Sequence, residues 1–170
     1  MSRLLLVLLL MAATAGAVVA YGDPERIARA SDSVAEMLRK RAASPVRAVQ
    51  ITRGQGGEFT LQARINGVSA PMVVDTGATL VVLTQETARA AGLPLELLTY
   101  NVDLETAGGH TKAARLTLDR LAIGNLVERS VPALIVPHGQ MKTNLLGMSF
   151  LDRLERWEVR PDRLVLHGYQ

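Results

Sequence analysis

The sequence predicts an all-β fold, a small closed barrel of short strands with one or two brief helices. Short runs of alternating apolar residues recur from Val46 onward, and turn residues separate these runs. Aromatic residues make up only 4% of the 170-residue chain, so Val, Leu, Ile and Ala must build most of the core. Many short strands with few helices are typical of closed, mostly β domains.

The strands follow from alternation and turn residues. The first surrounds Val49 and Ile51, a glycine-rich turn at 54–57 follows, and a strand over 59–65 ends at a strong hairpin signal, Asn66 and Gly67. Later strands are predicted over 72–74, 79–83, 99–105, 112–118, 121–123 and 126–136, with a final hairpin of 157–160 and 163–167.

Two short helices are predicted between the strands. Thr84 can cap the first, Glu86 lies in its first turn, and Gly92 ends it. The second is predicted over 149–154, directly after the apolar residues at 145–146.

The N-terminal segment, residues 1–20, is predicted to be a signal anchor or a signal peptide. Residues 4–20 carry no charge and would span roughly 26 Å as a helix, slightly less than a typical hydrocarbon core. Alternatively, small residues at 13–15 or 18–20 mark the cleavage site of a secretory signal. The anchor is favoured, with the following domain periplasmic or otherwise extracytoplasmic; the alternative is secretion after cleavage. Basic residues on both flanks leave the orientation open.

Residues 21–46 are predicted to form a linker with a short amphipathic helix, leaving one domain over 47–170. Asp23 can cap this helix and Pro24 suits its first position. One weak apolar stripe is modest evidence for a partner, so a tether is favoured over a self-association helix.

Composition excludes several classes of protein. Cysteine is absent, which rules out disulfide scaffolds, thiolate metal sites and cysteine nucleophiles. The net charge is +3 and the pI about 9.7, but the basic residues are spread along the chain, so no nucleic-acid binding is expected. His110, His138 and His167 lack a metal-ligand spacing, and neither a metal nor a cofactor is predicted.

The segment Val73-Val74-Asp75-Thr76-Gly77-Ala78 places an acid at the end of a buried strand. A carboxylate in that position is costly unless it is paired or hydrogen-bonded. Thr76 offers a hydroxyl, and Gly77 lets the backbone turn tightly. This pattern is typical of a loop that presents a carboxylate at the bottom of a cleft. Taken alone, Asp75 is more simply an Asx-turn residue that ends a strand.

The sequence over about residues 47–168 resembles the retropepsin-like aspartic proteases, and most closely their bacterial, membrane-anchored members. Three features in order carry the resemblance. They are the active-site loop Asp75, Thr76, Gly77 and Ala78; a candidate flap at Gly108, Gly109 and His110; and Leu145, Leu146 and Gly147 before a short helix. In the family, the last segment passes beside the active-site loop. The two flap glycines could also form a plain hairpin loop.

The resemblance implies an aspartic endopeptidase that acts as a homodimer on protein or peptide substrates. Asp75 lies in the chain's single Asp-Thr-Gly, so the second carboxylate must come from another copy. Two facing carboxylates share one proton, activate a water and protonate the peptide carbonyl oxygen. Thr76 would join the two loops by hydrogen bonds, and the Gly77 backbone would contact substrate.

Two departures from the viral pattern leave an alternative open. Viral members usually carry an acid after the Ala and an Arg after the Gly, where this chain has Thr79 and Met148. Dimer stabilisation must therefore differ, and the last strand, 163–167, is a candidate interface. The alternative function is a catalytically inactive, membrane-tethered dimerisation or peptide-binding module with the same fold.

Overall fold

The computed structural model describes Ala35 and residues 47–106 and 109–169. The predicted anchor or signal peptide at 1–20 lies outside these residues, as does the predicted linker helix at 21–46 apart from Ala35. Residues 46–170 form one compact unit. Among the described residues, no helix is both long enough and apolar enough to cross a membrane.

Strands dominate the described part of the chain. They are β1 (Ala48–Thr52), β2 (Thr60–Ile65), β3 (Val68–Val74), β4 (Val81–Thr84), β5 (Tyr100–Thr106), β6 (Gly109–Ile123), β7 (Leu126–Val136), β8 (Asn144–Leu146), β9 (Arg156–Val159) and β10 (Arg163–His167). The helical elements are α1 (Gln85–Ala90), a 3-10 turn (Leu95–Leu97) and α2 (Met148–Leu151). Both helices predicted between the strands are therefore present.

Six strands close into a barrel. The larger sheet has the order β2-β3-β8-β4-β7-β6-β5, and β2 also pairs with β6, where Arg64 lies opposite Ala122 and Ile65 opposite Leu121. This pairing joins the two ends of the six-strand array, while β5 extends beyond it. The predicted closed, mostly β barrel is confirmed.

The barrel core follows from period-two alternation. In β2, Leu61, Ala63 and Ile65 point inward while the residues between them are exposed. Leu, Ile, Val and Ala make up most of the buried cluster, as the low aromatic content predicts, and Phe150 of α2 is its largest fully buried side chain.

A second, three-stranded sheet has the order β1-β10-β9. β10 covers the predicted interface strand 163–167, and it is paired on both sides. Its main chain is therefore occupied within one copy. A contact between copies in this region would have to use side chains or the outer edges of β1 and β9.

Several predicted boundaries differ from the structure. β6 runs without a break through the two strands predicted at 112–118 and 121–123, because the pairing with β7 resumes at Arg120, opposite Arg129, directly after the exposed Asp119. β4 begins at Val81 rather than 79, since the preceding residues belong to a loop. α2 ends at Leu151 rather than 154, and the chain continues in i+3 turns, in which the Leu154 N–H donates to the Leu151 carbonyl.

Candidate active site

The loop that carries Asp75 arches over the end of β8. β8 runs parallel to β3, with Val73 opposite Leu145, and antiparallel to β4, with Val82 opposite the same Leu145. It therefore lies between the two strands that residues 75–80 connect. The structure therefore places the acid loop beside residues 145–147, as the sequence predicts.

Main-chain hydrogen bonds fix this loop to β8 and α2. The Asp75 N–H donates to the Leu146 carbonyl at 3.1 Å, and the Met148 N–H donates to the Ala78 carbonyl at 2.8 Å. The Ser149 N–H donates to the Thr79 carbonyl at 3.0 Å. Both ends of the loop are thus held by the segment that follows β7, a long way off in sequence.

Gly147 lies directly beneath the loop. A Cβ at this position would meet the Ala78 carbonyl oxygen at 2.5 Å and the Leu80 carbonyl carbon at 2.6 Å, with the Leu80 oxygen closer still. These neighbours are backbone atoms that cannot rotate away. The close approach explains why a glycine must follow the two leucines of β8.

Two polar side chains near the loop were not among the predicted site residues. Asn144 is buried; its amide nitrogen donates to the Pro71 carbonyl at 2.8 Å, and its oxygen accepts from the Thr84 N–H at 3.0 Å. The Ser149 hydroxyl donates to Pro132 O at 2.8 Å and accepts from Val81 N–H at 2.9 Å. Both tie β4 to its surroundings. A polar residue beside a strand looks like a turn residue in sequence, so the buried position of Asn144 could not be recognised, and neither could the backbone partners of Ser149.

Replacing Asn144 with Ala should destabilise the domain by about 2–4 kcal/mol, because the Pro71 carbonyl and the Thr84 N–H would lose their partner in a buried position. Denaturant unfolding followed by circular dichroism measures this. Asn125→Ala is the matched control, since Asn125 lies in an exposed turn. Equal stabilities of the two variants would contradict the bridging role.

The Asp75 carboxylate is half-exposed at the start of the loop. Its Oδ1 accepts a hydrogen bond from the Gly77 N–H at 2.9 Å, and no other donor within 47–106 and 109–169 reaches the carboxylate. Thr76 and Gly77 are exposed beside it, and Ala78 is half-buried. The acid is therefore held in orientation by its own loop while it remains accessible.

A cleft of about 1140 Å³ opens over this loop. Its volume exceeds that of most small-molecule pockets and suits a segment of extended peptide. β5 forms one wall and residues 139–143 form the other. The apolar part of its lining belongs to a small hydrophobic cluster and consists of Ala78, Leu80, Val82, Leu104, Leu134, Met141 and Leu145.

The candidate flap is the tip of the β5–β6 hairpin. Thr106 lies opposite Gly109, and the predicted flap residue Gly108 is outside the described residues. Gly109 has a φ of 113°, which favours glycine. His110 is exposed and lies opposite Glu105. Neither Gly109 nor His110 lines the cleft of the single chain, so a flap role for them remains a prediction.

Charged groups around the cleft are partly compensated. Lys112 lies 2.6 Å from Asp103, and its hydrogen bond and charge lower the pKa of the Asp103 carboxyl. His138 contacts Glu86 of α1, which ties the 139–143 wall to that helix. Among the residues that the structure describes, no group of three or more His, Cys, Asp or Glu side chains could hold a metal ion.

Known proteins share this sequence pattern. The family model described as "gag-polyprotein putative aspartyl protease" matches residues 61–153, which include the acid loop, the hairpin and β8. An uncharacterized protein of the cobV 5′ region from Sinorhizobium sp is 36% identical over 133 residues, 72% of this chain and 57% of that protein. An uncharacterized protein of Rickettsia prowazekii is 35% identical over 120 residues, which cover 69% of this chain and 50% of that protein. The chain spans about half the length of the curated relatives it matches.

Solved structures share the fold. A retropepsin-like aspartic protease from Rickettsia conorii matches with a TM-score of 0.66 and 34% identity, covering 72% of this chain and 92% of that structure. EIAV protease complexed with the inhibitor HBY-793 matches with a TM-score of 0.50 over 65% of this chain and 100% of that structure; at 18% identity it supports the fold alone. By its family model and its barrel, this chain belongs to the retropepsin-like aspartic proteases.

Proposed function

We propose that this protein is an aspartic endopeptidase whose active site is completed by a second copy of the chain, with Asp75 of each copy facing the other. The observation that carries the proposal is the position of Asp75. It is an accessible carboxylate on a loop fixed to β8 and α2, beside a cleft large enough for a peptide. The alternative, an inactive peptide-binding or dimerisation module, differs in having no turnover.

The requirement for two carboxylates supports a homodimer. Within the cleft of one chain, the other acids are Asp103 and Glu105 of β5, and Asp103 is already paired with Lys112. Thr76 and Gly77 are exposed next to Asp75, where a second loop can reach them. A two-fold axis beside these residues would bring two identical acids together without a second motif in the sequence.

The dyad would act by general acid–base catalysis. Two adjacent carboxylates cannot both ionise cheaply, so the pair holds one proton. The ionised carboxylate takes a proton from a water, whose oxygen attacks the peptide carbonyl carbon, while the other carboxyl protonates the carbonyl oxygen. Collapse of the tetrahedral intermediate breaks the C–N bond as a proton passes to the leaving amine. No covalent enzyme intermediate forms.

Incubating the purified protein with an unfolded protein substrate, at mildly acidic to neutral pH, tests the proposal. We expect new internal peptide ends, which mass spectrometry detects. Peptide binding without new ends across this pH range would contradict proteolysis and support the inactive module instead.

The purified protein should sediment as a dimer when it is active. Sedimentation velocity at the concentration of the cleavage assay measures this. Because each chain supplies one Asp-Thr-Gly, cleavage by a strictly monomeric species would contradict the shared site.

Residues 4–20 support a further part of the proposal, a membrane tether that leaves the domain outside the cytoplasm. Their uncharged length is close to that needed to span a hydrocarbon core. A reporter enzyme that is active only outside the cytoplasm, fused after Gln170, should be active in membrane fractions. Activity in the soluble secreted fraction would instead indicate a cleaved signal.

A further inference from the structure

A row of side chains crosses the sheet beneath the cleft. Leu145 of β8 lies opposite Val82 of β4, Val82 lies beside Leu134 of β7, and Leu134 lies opposite Arg115 of β6. All four line the cleft. Three aliphatic side chains therefore lead from the acid loop to a guanidinium group.

The register of the β5–β6 hairpin places Arg115 on its inner face. Val102 lies opposite Ala113, and both pack in the small hydrophobic cluster that lines the cleft. Because side chains alternate along a strand, Arg115 shares the face of Ala113. The pair Asp103 and Lys112 lies on the other face.

Arg115 is exposed and lacks a hydrogen-bond or ion-pair partner in the two described ranges, 47–106 and 109–169. Glu105, the other acid of β5 that lines the cleft, lies opposite His110. The alternation places its side chain on the strand face of Asp103 rather than on that of Arg115. A guanidinium offers a planar fork of donors that matches a carboxylate. The cleft is also lined by Asp103, Glu105 and Lys142, but Arg115 is the cation at the end of the row of aliphatic side chains. An unpaired guanidinium in that position is a recognition group for an acidic ligand.

We infer that Arg115 is a specificity-determining residue that selects substrates with an Asp or Glu side chain near the scissile bond. This rests on the proposed function of the Asp75 site. From Leu145 to Arg115 is three strand spacings, about 14 Å, which an extended peptide covers in roughly four residues. Because the arginine side chain is long, its guanidinium group can contact a peptide residue closer to the scissile bond than this separation. The acid is therefore expected about two to four residues from the bond, and two-fold symmetry places a second preference on the other side.

Binding of synthetic peptides tests this without relying on turnover. Fluorescent decapeptides with a central Leu-Phe would carry Glu, Gln or Lys at the second to fourth position on either side. The Asp75→Asn protein should bind the best Glu peptide about fivefold more tightly than its Gln counterpart, as measured by fluorescence anisotropy. Adding Arg115→Gln to the Asp75→Asn protein should remove this preference. Adding Arg115→Glu instead should make the Lys peptide the tightest binder. Lys112→Gln, on the outer face of the same hairpin, should leave the preference intact.

The outcomes separate this inference from the proposed function. If the parent protein cleaves no peptide but the binding preference exists and depends on Arg115, proteolysis fails, while the recognition of an acidic side chain by Arg115 stands. If the parent cleaves peptides with no preference for Glu, or the preference persists in Arg115→Gln, the inference is overturned while proteolysis stands. Equal binding of Glu and Gln peptides, or binding of none, also overturns it.

Discussion

The Asp75→Asn protein should cleave peptide bonds at least about a thousandfold more slowly than the parent and remain folded. An amide cannot take a proton from the attacking water, so the dyad loses its base. The amide oxygen can still accept the Gly77 N–H, and the half-exposed side chain makes no other hydrogen bond within the described residues. We therefore expect the unfolding free energies of the parent and the Asp75→Asn protein to agree within about 0.5 kcal/mol. Initial rates on a peptide substrate, with thermal unfolding of both proteins, measure the two effects.

Asp103→Asn is the matched control for this prediction. Asp103 also lines the cleft, but it is paired with Lys112 on the outer face of the hairpin. Its replacement should leave the cleavage rate within about threefold of the parent, since surface ion pairs contribute little. An Asp75→Asn protein that keeps a rate comparable to that of Asp103→Asn would show that the hydrolysis occurs elsewhere.

Gly147→Ala should destabilise the domain by about 3–5 kcal/mol and disrupt the acid loop. The φ of Gly147 is −90°, which suits any residue, so the cost is steric rather than conformational. The added methyl would meet the carbonyl groups of Ala78 and Leu80, which are backbone atoms in the loop. To relieve the clash, the loop would have to move away from β8 and break the Met148-to-Ala78 hydrogen bond. The denaturant concentration at half-unfolding and the rate of peptide hydrolysis should both fall.

Gly56→Ala provides the comparison for Gly147→Ala. A Cβ at Gly56 would meet the end of the flexible Glu58 side chain, which can rotate away. We expect a change of about 0.5 kcal/mol or less. If Gly147→Ala is as stable and active as Gly56→Ala, the close packing of β8 beneath the loop is not required.

The sequence predicts local features of the site better than its long-range contacts. The strand before Asp75, the hairpin signal at Asn66 and Gly67 and the cap at Thr84 depend on neighbouring residues, and the structure contains β3, the β2–β3 turn and the Thr84-capped helix. The boundary of β4 was wrong because residues 79–80 are held in the loop by α2, a contact that alternation does not reveal.

The row that ends at Arg115 illustrates why the remainder of the cleft could not be predicted. Its four residues lie on four different strands, and a shift of one residue in any strand would turn a side chain to the other face. The same holds for Asn144, whose two partners are the backbones of β3 and of the end of β4. Pairing register, rather than residue type, decides which side chains reach the site.

Mixed dimers test the shared active site most directly. Parent and Asp75→Asn chains would be mixed at constant total concentration under conditions that allow subunit exchange, and peptide hydrolysis would be measured against the parent fraction. If each site needs Asp75 from both copies, activity follows the square of that fraction, about one quarter at equal amounts. Activity in direct proportion to the parent fraction, about one half at equal amounts, would mean that one chain suffices and would contradict the account.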